Sequence, residues 1–180
     1  CTLAVLDYLD FVKPGDRHKI NYILQEIKKK KGTGKETLLL INKLIPPPEG
    51  NKWIIIRTSY EELMTMPNKS ATIGFVLFQI RSKNGRSIQN MGHTVVFQKL
   101  DEVLLVIDPQ TKEKEKPLEE YLKGSDTIFD NITILSLGCL VLVDDSSNLP
   151  NYPVNMTSDE QSSVNNASSS TDKLGFMTRK

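Results

Sequence analysis

Two cysteines, two histidines and one tryptophan are all that this 180-residue chain holds of those types. Two cysteines are too few for a disulfide framework, and two widely separated His with two Cys give no zinc-site spacing. Charge of one sign is also missing: 23 basic residues stand against 22 acidic ones. That balance gives no reason to expect nucleic acid or a membrane surface as partner. No apolar run approaches the roughly 20 residues that cross a bilayer; the longest, Ile132–Val143, is strand-sized and interrupted. Neither a signal-peptide pattern nor an initiating Met stands at the start. The chain therefore reads as a fragment or processed product, and no compartment is excluded.

What is present suits one domain large enough to bury a core unaided by disulfides or metal. TLAVLDYLDFV places Leu3, Leu6 and Leu9 along one side and predicts a helix closed by Lys13-Pro14-Gly15. Asp16 is the expected N-cap of a second helix, DRHKINYILQEIKKKK, with an apolar stripe of Ile20, Ile23, Leu24 and Ile27. Gly32-Thr33-Gly34 breaks the chain, and ETLLLINKLI predicts a third helix stopped by Pro46-Pro47-Pro48.

The period then becomes strand-like. KWIIIRTS and ATIGFVLFQIRS predict strands, with one or two helical turns at YEELMTM between them and a polar KNGRS turn after the second. HTVVFQKL and VLLVID predict adjacent antiparallel strands joined at Asp101-Glu102. KPLEEYLKG predicts a short helix with Pro117 in its first turn, and NITILSLGCLVLV a final strand. The expected fold is α+β, N-terminal helices packed on a mostly antiparallel sheet, over residues 1–144. Residues 145–180 turn to Ser, Asn, Asp and Pro and are expected to be a disordered tail.

Three residues could share one chemistry. Cys1 stands at the mouth of the first helix, His93 follows Gly92 at an expected strand start, and Asp108 closes the next strand. A free thiol titrates near 8.5, and a helix N-terminus or an adjacent imidazolium lowers it to about 3.5–7.5. His93 would serve as general base and acid, and Asp108 would fix its tautomer. Taken singly, each has an ordinary explanation: a packing histidine, an Asp-Pro turn, a cysteine where the fragment happens to start.

The order of these elements resembles the papain-like fold. More narrowly, GHTVVF followed by VLLVIDPQT is similar to the papain-fold toxin domains, relatives of peptidases and glutamine deamidases. The resemblance spans roughly Cys1–Val143, with Gly92–Thr111 its specific part. It implies a thiol hydrolase acting on a protein amide, with Cys1 as nucleophile, His93 as base and acid, and Asp108 as orienter. Gln110 follows the acid in the same motif and would shape the turn or bind near the site. The partner implied is a protein substrate, with no cofactor and no metal. One departure stands out: many papain-like enzymes carry an oxyanion-stabilising Gln or Asn upstream of the cysteine, and here the sequence starts at the cysteine. The expected donors are therefore the Cys1 backbone with a second group, or residues that precede it.

Other readings remain beside it. A non-catalytic interaction module of papain-like architecture, part of a larger polypeptide, fits the same pattern. An amino-terminal nucleophile hydrolase would place Cys1 on a strand, whereas the pattern gives a helix. KKKKGTGKET echoes a P-loop, but position 29 is Lys where the motif needs Gly, and Glu36 replaces the Ser/Thr that would hold magnesium. The lysines read as a solvated surface, as does His18. Cys139, apolar on both sides, reads as a buried inert thiol. The sequons at Asn68, Asn131, Asn155 and Asn166 are expected by chance in a chain rich in Asn, Ser and Thr.

Overall fold

A computed structural model describes residues 1–29, 34–81, 88–111, 115–123, 132–149 and 177–178. It opens with helix α1 (Thr2–Tyr8), a 3-10 turn (Pro14–Asp16), α2 (Arg17–Lys29) and α3 (Gly34–Leu44). Then come β1 (Asn51–Thr58), α4 (Tyr60–Met64), β2 (Ser70–Arg81), β3 (Ile88–Leu100) and β4 (Val103–Ile107). β5 (Glu115–Pro117), α5 (Leu118–Leu122), β6 (Ile132–Asp144) and the two-residue β7 (Met177–Thr178) complete it.

Six strands lie side by side in the order β1-β6-β2-β3-β4-β5, and every pair is antiparallel. The fold is α+β. β6, the last long strand in sequence, inserts between the first two. β7 pairs with Ser70–Ala71 at the start of β2. The other tail residues, 150–176 and 179–180, lie outside the described residues, as do the KNGRS turn and the Gly32-Thr33 break.

Alternation along the strands splits the core into two layers. Ala71, Ile73, Phe75, Leu77, Val96, Ile107 and Leu140 face α1, α2 and α3, where they meet Val5, Leu6, Ile20 and Ile41. Val76, Val95, Phe97, Leu104, Val106 and Cys139 face the other way, toward Leu63 of α4 and Leu118 of α5. The helices thus cover both faces, with all three N-terminal ones on the first. Gly74 lies on the second, where an added Cβ would fall 2.5 Å from the Phe97 ring. Glycine here leaves room for the ring to approach the strand that closely.

Several local expectations are corrected. α1 is two turns long and stops at Tyr8; the chain then turns through Asp10 at φ 60°, and the Phe11 N–H closes on the Leu6 carbonyl. Asp16 sits inside the 3-10 turn that runs straight into α2 and does not cap it. Pro117 is the N-cap of α5 and also the end of β5, an edge strand that tolerates its missing N–H. α4 carries a full capping box: the Glu62 N–H donates to Ser59 Oγ and the Ser59 N–H to Glu62 Oε2. The β3–β4 hairpin turns at Asp101, φ 53°, whose side chain and N–H form a reciprocal pair with the Asn68 amide.

Candidate functional site

β3 begins at Ile88, five residues before His93, so the histidine lies inside a strand and does not open one. The reason is β2, which pairs with β3 as far as Arg81 and Ile88. β4 is shorter and pairs with β3 only between Val96–Ile107 and Leu100–Val103. His93 therefore occupies the half of β3 whose outer edge β4 leaves open, and Asp108 is the residue at which β4 departs.

The two side chains meet there. His93 Nε2 lies 2.7 Å from Asp108 Oδ2, with the imidazole 20% and the carboxyl 10% exposed. The carboxylate's other oxygen, Oδ1, accepts the Gln110 N–H at 3.0 Å. Thr111 returns its N–H and its hydroxyl to the Asp108 carbonyl, at 3.2 and 3.1 Å. The Asp-Pro-Gln-Thr turn is thus an Asx-type clamp that holds the carboxylate before it meets the ring. Gln110 contributes its main chain here, while its residue surface is exposed.

Burial pushes the Asp108 carboxyl up. The hydrogen bond and charge of His93, the Gln110 N–H and the amino group of Cys1 outweigh it, and hold the carboxyl below its ordinary value. An ionised Asp108 can only accept, so Nε2 carries the proton and Nδ1 presents a lone pair. That tautomer is a general base.

Cys1 is the N-cap of α1, its carbonyl accepting the Val5 N–H at 3.1 Å. Its position is fixed one residue along: Thr2 Oγ1 and Thr94 Oγ1 are 2.9 Å apart, and Thr94 is buried. The chain therefore brings the start of α1 to Thr94, the strand position next to His93. Successive strand residues point to opposite faces, however. Thr94 meets α1 on the first face, whereas His93 shares the parity of Val95 and Phe97 on the second.

Groups from the two faces can meet only around the open edge of β3. Asp108 is felt from both sides of that edge. The amino group of Cys1 helps to depress its pKa, while burial and the Asp108 charge push the Tyr121 phenol of α5 up to about 12. Sequence reading missed Tyr121; an aromatic in a short helix gave no signal of nearness to the acid.

Gly92 pairs with Leu77 and is exposed. Cys139 is 1% exposed in the second core layer; burial, aided by the charge of Glu62 and opposed by the Thr58 hydrogen bond, pushes its thiol up to about 12. The two cysteines form no disulfide. His18 is exposed on α2. Among the described residues there is no cluster of His, Cys, Asp and Glu able to hold a metal ion, and no helix long and apolar enough to cross a membrane.

No family model matches the chain, and no curated protein or solved structure is significantly similar to it.

Proposed function

We propose that this protein is a papain-like cysteine hydrolase acting on protein amides, with Cys1 as nucleophile, His93 as general base and acid, and Asp108 as its orienter. The observation that carries the reading is the 2.7 Å His93–Asp108 contact, with the second carboxylate oxygen occupied by Gln110. A carboxylate clamped from its own turn and aimed at one imidazole nitrogen leaves the other nitrogen basic. The Thr2–Thr94 bond, by tying the start of α1 to the strand residue next to His93, supports the choice of nucleophile.

Nδ1 of His93 takes the thiol proton as sulfur attacks the carbonyl carbon. The tetrahedral oxyanion collapses to a thioester, and the imidazolium gives its proton to the departing nitrogen. Water then attacks the thioester, passing its proton through the same nitrogen back to sulfur, and a carboxylic acid leaves. An amine departs if the bond is a peptide, ammonia if it is a glutamine side chain. α1 is only two turns long, so activation of the thiol rests chiefly on the imidazole and less on the helix terminus.

A second reading draws on the strand parity. If the ring stays on the second face while the thiol stays on the first, the chain is a non-catalytic module with papain-like architecture. Iodoacetamide separates the two readings. A hydrolase alkylates at Cys1 far faster than a free exposed thiol does at the same pH, and Asp108→Ala slows that rate; labelling at the free-thiol rate, unchanged by Asp108→Ala, would leave the module.

A further inference from the structure

We infer that the open half of β3, from Ile88 to Thr94, is the substrate-binding edge, and that it takes an extended segment of a protein substrate as an added strand. The inference rests on the hydrolase reading for its occupant and on the sheet for its geometry.

Leu100 and Val103 close a two-residue hairpin, and the closing pair of such a hairpin exchanges main-chain hydrogen bonds. Counting back by twos, Gln98 and Val96 also aim their N–H and C=O at β4. Thr94, Gly92, Asn90 and Ile88 aim theirs the same way, past the point where β4 ends. An independent contact agrees with this parity: the Lys99 carbonyl, one residue out of step, accepts the Lys69 N–H at 2.8 Å on the β2 side. Among the described residues no strand pairs with that outer edge between Ile88 and Val95.

Unpaired edges are hazards that proteins blunt with charge. The outer edge of β1 carries Lys52 and Arg57, and no large exposed hydrophobic residue. The open half of β3 does the reverse: it has no charged residue, and Ile88 and Met91 are 58% and 40% exposed on its two faces. An added strand would gain main-chain hydrogen bonds from the edge and side-chain contact from these two residues, the strand-addition mode of peptide recognition. The edge also runs directly into the site. A segment paired through Gly92 and Thr94 passes the His93 ring, and exposed Gly92 puts no side chain in its way.

The test is amide hydrogen exchange on the Cys1→Ala variant, with and without saturating reduced, carboxymethylated lactalbumin, a chain that cannot fold. Pairing slows exchange at Asn90, Gly92 and Thr94 by about tenfold or more, while Gln89, Met91 and His93, already bonded to β2, stay unchanged. Asn90→Pro removes one edge donor and leaves the main-chain ladder to β2. It also removes the side-chain oxygen that accepts from Gln79 Nε2, so Asn90→Ala is its control. Relative to that control it weakens binding of the same chain about tenfold. Unaltered exchange at the three amides, or undiminished binding by a folded Asn90→Pro variant, overturns the edge. The hydrolase reading is judged separately, by the Cys1 alkylation rate of the unsubstituted protein.

Discussion

The hydroxyls of Thr2 and Thr94 lie 2.9 Å apart across ninety-two residues of chain, tying the start of α1 to the strand that carries His93. Thr94→Val keeps the shape and removes the hydroxyl. We expect a loss of about 1 kcal/mol in urea unfolding, the usual worth of one such bond. A clear drop in the Cys1 alkylation rate should accompany it. A stability loss with an unchanged rate would mean that the contact packs α1 without positioning residue 1.

Asp108→Asn tests the tautomer argument. An amide can turn its N–H₂ toward Nε2, which moves the ring proton to Nδ1 and removes the base. Turnover of an amide substrate should fall by about four orders of magnitude, as it does when the orienting acid of a triad is made neutral. Circular dichroism should be unaltered. Cys1→Ala should abolish turnover altogether, and an active Cys1→Ala protein would end the assignment.

The same pair sets a pH dependence. Asp108 has a depressed carboxyl in the folded chain, so the unfolded chain binds its proton more readily. Its contribution to stability is present above the unfolded carboxyl value near 3.9 and is lost as pH falls through the lower folded value. Unfolding measured from pH 6 downward should show the gap between wild type and Asp108→Asn closing over about that acid range. A gap that stays constant would place the stabilisation elsewhere.

Much of the fold could be read from the order of patterns, and particular residues show where reading stopped. Ile20, Ile23, Leu24 and Ile27 announced α2, and the β-branched run Ile54–Ile56 announced β1. The start of β3 did not show, because Ile88-Gln89-Asn90-Met91 does not alternate; those residues are extended because β2 holds them. β5 and β7, of three and two residues, exist only through their partners. The His93–Asp108 contact was foreseeable from a Gly-His and an Ile-Asp-Pro-Gln on neighbouring strands. That the two residues share a parity opposed to Thr94 was not, since register comes from pairing and not from composition.

Gly74→Ala probes the second layer. A Cβ 2.5 Å from the Phe97 ring forces the ring or the strand to move, costing about 1–3 kcal/mol. Combining it with Phe97→Leu should give a loss smaller than the sum of the two single changes, because the smaller side chain relieves the clash. Strict additivity in a double-mutant cycle would show that the ring is not what excludes alanine.

The placement of β6 has a consequence for how the molecule comes into being. A ribosome delivers β1 through β4, with both His93 and Asp108, before it delivers Ile132–Asp144. Until then β1 and β2 have no strand between them, and the sheet is two unjoined pieces. Closing it requires the latest long strand to thread into the middle, a contact of long sequence separation that forms slowly. The reactive corner is thus spelled out early but fastened late. A nascent chain halted before Ile132 should expose Cys139's future neighbours to protease and alkylate no faster at Cys1 than an unfolded peptide does.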